Sequence, residues 1–295
     1  MSRASALIRV SFAYFVALAA AVATVYLLAK SGEDSLIVQT LVADLVGTVV
    51  IFGFSLSSGN SSYYDAYWSV IPMALAGYLV YAGWNSGADP TRSLLACALV
   101  WYWGARLTHN WARGWTGLDH EDWRYVDLRE KSGRLWWPLS FVGIHMFPTV
   151  QVFLGCLPLF FVMAEPGAPL GWLDAVAAVV TFGAVTIELV ADNQLRDYVL
   201  HRKKPGETMT EGLWGWSRHP NYFGELSFWI GLYLFGVAAV GVQPWWMVSG
   251  VLAIGLMFIF VSIPMIEKRM LARRKDYADV QARISMLIPL PPRRS

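Results

Sequence analysis

The sequence predicts an all-α protein, a polytopic membrane bundle of seven to eight transmembrane helices, on three observations. Hydrophobic residues fill 56% of the 295 positions and charged residues only 15%, where a soluble domain carries roughly 25% charged residues. Apolar runs of about 20 residues, the length that crosses a hydrocarbon core, recur along the chain. Basic residues fall in alternate loops, the pattern by which Lys and Arg mark the cytoplasmic side.

The apolar segments lie near 10–28, 36–56, 67–84, 94–111, 139–163, 170–190, 222–240 and 245–265. The first follows Arg3 and Arg9 but lacks a convincing small-x-small cleavage site and is followed almost at once by a second span. It therefore reads as a helix that stays rather than a signal peptide. The third is entered through a polar, tyrosine-rich stretch, and the fourth ends in Arg106. The fifth follows a basic stretch, and the sixth ends in a run of acids and amides. The last two are parted only by residues 241–244, which suits a tight helical hairpin; seven spans with one re-entrant or peripheral segment is the alternative.

With the N-terminus cytoplasmic, every Lys and Arg except Lys30 and Arg92 falls on the inner side. Both termini are then cytoplasmic, and in a bacterium the membrane is the inner one. The net charge of +2 is spread over membrane-flanking loops that also hold Glu121, Asp122, Glu207 and Glu267. The implied partners are membrane lipids, not nucleic acid. Cys97 and Cys156 sit in apolar segments, which supports neither a disulfide framework nor a metal site. No repeat or linker divides the chain, so residues 1–295 read as one membrane domain.

Charges inside a bilayer are costly and tend to be functional, and four breaks in the apolar pattern follow from that rule. Gly59-Asn-Ser-Ser-Tyr-Tyr-Asp-Ala-Tyr-Trp68 offers Asp65 with Tyr63, Tyr64 and Tyr67 as acids or hydrogen-bond donors, or as a helix cap within an interfacial aromatic belt. Arg106 and Asn110, four apart, share a helix face that suits an anion or amide; snorkelling to headgroups is the competing account. Glu188, Asp192 and Arg196 repeat the four-residue spacing and form either a cavity wall or a salt-bridge ladder. Arg202, Lys203 and Lys204 precede Arg218-His-Pro-Asn-Tyr-Phe-Gly-Glu225. There a proline at a helix start places Asn221, Tyr222 and Glu225 beside free backbone N–H groups that attract anions.

The region 188–291 resembles the C-terminal region of the steroid 5α-reductase family, particularly its bacterial branch. The likeness is carried by Asp192 to Arg196, Lys204-Pro-Gly-Glu207, Asn221-Tyr-Phe-Gly-Glu225, Trp229-Ile-Gly231, and the tail from Asp276-Tyr277 to Ile288-Pro289. It implies a helical bundle that holds NADPH near its cytoplasmic face. An apolar substrate would enter from the bilayer, and hydride would pass to the β-carbon of an α,β-unsaturated ketone while an acid polarises the carbonyl. Position by position, it implies that Asn221 and Glu225 hold the nicotinamide end and that Asp192 and Arg196 lie near the ribose and pyrophosphate. Lys203, helped by Arg202 and Lys204, would contact the adenosine phosphate. Arg106, Arg218, His219, Tyr222 and Glu267 complete the cofactor-binding set. Two acids of the animal enzymes have no counterpart, because Ser69-Val70 precedes Ile71-Pro72 and Trp103 stands where those enzymes carry Tyr. Tyr102, Asp65 and Tyr67 are the candidate catalytic replacements.

Arg218-His-Pro-Asn-Tyr222 is also similar to a segment of isoprenylcysteine carboxyl methyltransferases, which implies S-adenosylmethionine as the rival cofactor. A non-catalytic sterol-binding membrane protein is a third reading, since the missing acids are what an inactive scaffold would lack.

Overall fold

Helix α1 (Arg3–Lys30) begins where the Ser2 side chain accepts from the Ser5 amide. Helix α2 (Leu36–Ser58) is capped the same way by Ser35. It stops at Gly59, whose φ of 64° is a left-handed conformation that L side chains avoid. A 3-10 turn, Ser61–Tyr64, leads into α3 (Tyr67–Ala82). Asp89 caps α4 (Pro90–Gly114), with Pro90 in the first turn, where its missing N–H costs nothing. These details come from a computed structural model that describes residues 2–202 and 206–293.

The chain continues through α5 (Trp123–Ser132), α6 (Trp136–Leu139), a π-helical stretch over Ser140–Met146, α7 (Phe147–Met163) and α8 (Trp172–Asp197). After the π turn Tyr198–Arg202 and the 3-10 turn Gly212–Gly215 come α9 (Pro220–Val240) and α10 (Ser249–Met257). A further π turn, Phe258–Ser262, precedes α11 (Ile263–Arg273) and α12 (Tyr277–Arg283). No strand occurs among the described residues.

Among the described residues, six helical stretches are long and apolar enough to cross a membrane: α1, α2, Trp123–Met163, Trp172–Arg202, α9 and Trp245–Arg273. Large apolar side chains such as Ile8, Phe15, Val179 and Phe260 point outward from them, as lipid-facing residues do. This is a multi-pass helical membrane protein. The expected third and fourth spans are present as α3 and α4, yet they fall outside that set. Helix α3 has only 16 residues, about 24 Å at the α-helical rise. Helix α4 is diluted by Arg92, Arg106 and Arg113, of which Arg92 and Arg106 are buried. Those two charges face the bundle interior.

The main core gathers around Trp103, Phe228 and Trp229, with Phe153, Phe160 and Leu159 of α7. Helices α8 and α9 run against each other at glycine contacts. A Cβ on Gly231 would meet Thr181 Cα at 3.0 Å, and one on Gly224 would meet the Ala184 carbonyl at 2.8 Å. Small residues of this kind let membrane helices approach closely. At one end of the bundle Arg92 is paired with Asp174 (2.6 and 2.9 Å) and donates to the Ala168 carbonyl at 2.9 Å. That buried pair joins the start of α4 to the start of α8. The two cations that the loop pattern sets apart differ: Arg92 is buried and paired, while Lys30 is exposed at the end of α1.

Candidate functional site

Three helices each present polar side chains a turn apart, and they present them to one another. Helix α4 supplies Trp103, Arg106 and Asn110; α8 supplies Glu188 and Asp192; α9 supplies Asn221 and Glu225. Residues three or four apart share a helix face, so the spacing alone brings each set to one stripe, and the close α8–α9 packing brings the stripes together. Arg106 pairs with Glu188 through one guanidinium nitrogen and with Asp192 through another, the latter at 2.8 Å. Asn110 donates to Asp192 at 2.9 Å, and the Asn221 amide lies beside the same carboxylate.

Glu225 is held from two sides, because Trp103 Nε1 donates to it at 3.0 Å and Trp229 Nε1 at 2.8 Å. The Trp103 ring stacks on Phe228 with centroids 4.6 Å apart. These indoles wall off the carboxylate and fix both of its oxygens. Among the described residues, Arg106 Nε is buried without an acceptor and Glu188 Oε1 without a donor. Glu188 does have the Glu225 carboxyl as a neighbour, but two carboxylates bond only through a shared proton, so no ordinary donor serves Oε1.

These groups form the polar side of a cavity of about 560 Å3, within the range of small-molecule sites. Ile144, Val152, Ile254, Met257 and Phe258 make the opposite, apolar wall. Two of the three π-helical stretches reach it, through Gly143 and Ile144 in one and Phe258 and Ser262 in the other. Such stretches recur at functional sites, where the wider turn opens room beside the helix. Arg124 and Tyr125, from the start of α5, and Tyr64 close the remainder. The Tyr125 hydroxyl donates to Asp65 at 2.9 Å, and Tyr64 shares a hydrogen bond with Thr149 at 2.7 Å.

Of the residues singled out from sequence, Arg106, Asp192, Asn221, Tyr222 and Glu225 line this cavity. Arg218, His219 and Glu267 do not. Glu267 accepts from Arg218 Nε at 2.6 Å and lies 3.2 Å from His219 Nε2. It also accepts from Gln281 at 2.7 Å. Arg218 adds hydrogen bonds to the Gln281 and Ile284 carbonyls. The C-terminal segment is thereby strapped across the approach to α9, with Leu290 N donating to the Trp216 carbonyl at 3.0 Å. Arg202 is exposed and pairs with Asp197 and Glu211, and Arg196 is half-buried. Lys203 and Lys204 lie outside the described residues.

At the substrate end, Tyr102 stacks on Phe182 of α8 at 5.6 Å instead of lining the cavity. The buried Tyr67 hydroxyl has no hydrogen-bond partner among the described residues and lies against Gly47. Asp65 meets the cavity only through Tyr125. Tyr64, which the tyrosine-rich stretch offered, lines the cavity, as do Arg124, Tyr125 and Gln151, which spacing did not single out. The stretch Glu121 to Tyr125 was visible as polar, but nothing local told which wall it would join.

Fold and site together define a multi-pass helical membrane protein with a ligand-sized cavity, polar on one side and apolar on the other. The chain belongs to the DUF1295 family of proteins of unknown function, which matches residues 51–284. It is similar to the uncharacterized protein C594.04c of Schizosaccharomyces pombe, with 28% identity over 224 residues. That alignment covers 69% of this chain and 65% of the fungal protein, just under two thirds of its length. No solved structure matches the chain.

Proposed function

We propose that this protein is a membrane oxidoreductase that uses NADPH to reduce the C=C bond of an α,β-unsaturated ketone, a 3-oxo-4-ene steroid or a similar apolar lipid. The observation that carries the reading is the meeting of Arg106, Asp192, Asn221, Tyr222 and Glu225 on one cavity whose far wall is apolar. The donor set suits the cofactor. A primary carboxamide has an acceptor for Arg106 Nε and a donor for Glu188 Oε1, the two buried atoms left without partners. Asn221 and Glu225 would hold the nicotinamide end and Asp192 with Arg196 the ribose and pyrophosphate, with Arg124 at the exposed rim. The bound cofactor supplies hydride to the β-carbon of the enone. In this reading α3 and α4 also cross the membrane, and both termini are cytoplasmic.

Tyr125, backed by Asp65, is the proton donor that best fits the cavity. Burial pushes the Asp65 carboxyl up to about 7, against the opposing pull of its hydrogen bonds with Tyr125 and Ser62. A protonated Asp65 donates to the phenol oxygen and leaves the phenol hydrogen for the carbonyl oxygen, where enolate charge develops. Turnover should then fall above about pH 7, by roughly tenfold per unit. A pH profile flat to alkaline values removes Asp65 from the reaction.

Stability supplies a second readout of the same group. The folded pKa lies above the ordinary 3.8, so between these two values the folded chain keeps a proton that the unfolded chain has released. Stability therefore declines as pH rises through that window. Asp65→Asn should melt above the wild type in detergent at about pH 8, with the gap closing near pH 4.

The decisive experiment is energy transfer from tryptophan to NADPH in the purified chain, followed by enone-dependent loss of the nicotinamide absorbance. Tight S-adenosylmethionine binding with no NADPH signal would move the protein to the methyltransferases. Against that outcome, Arg218 and His219 are engaged with Glu267 and contribute no wall to the cavity. Sterol binding with neither cofactor would leave the scaffold reading.

A further inference from the structure

A second cavity, of about 480 Å3, opens between α1, α2 and α3 and is closed at the back by Phe153 of α7. Its walls are aliphatic and aromatic, with Val22 and Leu18 on one side and Ile71 and Leu75 on the other. One carboxyl breaks that surface. Asp44 lies eight residues into α2, about 12 Å from the helix start. It is 8% exposed and has neither a hydrogen bond nor an ion pair among the described residues. The wall contains no Lys, Arg or His. Eight of its fourteen lining residues, Asp44 included, precede the stretch 51–284 that the family match covers.

We infer that this cavity is a binding site for a lipophilic monoamine, an apolar body bearing one cationic nitrogen that pairs with Asp44. An ionised carboxylate in such surroundings loses several kcal/mol of hydration unless a cation and hydrogen bonds replace the water. Every other buried carboxylate described above has its donors: Asp174 has Arg92, Glu188 and Asp192 have Arg106, and Glu225 has two indoles. Asp44 has none, so an ionised Asp44 takes its counter-charge from a ligand. A neutral ketone or alcohol would complement it less well, because a charge-assisted hydrogen bond is roughly twice as strong as a neutral one. The aromatic rings of Tyr26, Tyr78 and Tyr81 in the lining add faces that attract a cation. The inference is independent of the reductase reading, since it uses a different cavity and a binding readout.

The test is saturable binding of radiolabelled imipramine, a tricyclic tertiary amine, to the full chain in nanodiscs. Uncharged iminodibenzyl, the same ring system without the amine arm, is the competitor. Wild type should bind. Asp44→Asn should weaken binding at least tenfold, Asp44→Glu should retain it, and Ala74→Trp should block it by filling the cavity. Melting curves establish that each variant is folded. Equal binding to wild type and Asp44→Asn, iminodibenzyl competing as well as the amine, or no saturable binding to wild type each overturns the proposal.

Discussion

Asn221→Ala is expected to lower enone-dependent NADPH oxidation by roughly a hundredfold or more while the protein stays folded. Asn221 stands in the first turn of α9 with its amide beside Asp192 and lines the cavity. Its removal takes away a positioning group without exposing a buried charge, and small misplacements of reacting groups cost rates on that scale. Glu225→Ala should lose turnover as well, but it should also lose stability. The change leaves Trp103 Nε1 and Trp229 Nε1 buried with no acceptor, at about 1–3 kcal/mol each. Steady-state oxidation alongside thermal unfolding separates the two variants. Full activity in Asn221→Ala would mean the nicotinamide is not held there.

The largest effect on stability is expected at Arg106. Arg106→Met leaves Glu188 and Asp192 facing each other without the guanidinium that joins them. Removing one partner of a buried pair costs about 3–5 kcal/mol, which corresponds to a melting temperature roughly 10 °C lower in detergent. Asn110 and Arg113 persist nearby, but only Asn110 reaches Asp192 by a direct hydrogen bond. Adding Glu188→Leu and Asp192→Leu to the same chain should recover most of the loss, because an ion cluster replaced as a whole leaves no stranded charge. A triple variant as unstable as Arg106→Met alone would show that packing, not charge, is what the arginine supplies.

Much of this arrangement was legible before any fold was known. The apolar runs marked the helices, and the four-residue spacings of Arg106 with Asn110, Glu188 with Asp192 and Asn221 with Glu225 marked their polar faces. Periodicity reports which residues share a face, so it works wherever one helix meets another along its length. It does not report where a short connecting segment lands. Tyr125 and Arg124 reach the cavity from the start of α5, and Asp65 accepts a hydrogen bond from Tyr125 from a turn sixty residues earlier in sequence, a contact of the tertiary fold alone. Periodicity also cannot say whether a basic residue near a site points into it. Arg218 and His219 sit immediately before Pro220 and yet turn toward Glu267. Tyr102 points about 100° around α4 from Trp103, as adjacent helical residues do, and meets Phe182. Nor did the apolar run of α4 tell that Arg92 and Arg106 would be interior groups whose charges are matched by acids on α8.

Glu267 takes hydrogen bonds from four residues, among them Tyr277 and Gln281, and so one side chain anchors both the tail and the entrance to α9. The last stretch of the chain is therefore a brace for a pocket it never touches. Anyone attaching a label or fusion partner close behind residue 284 would be tampering with the frame of the Asn221 turn, and a silent preparation of that kind would say little about the native protein.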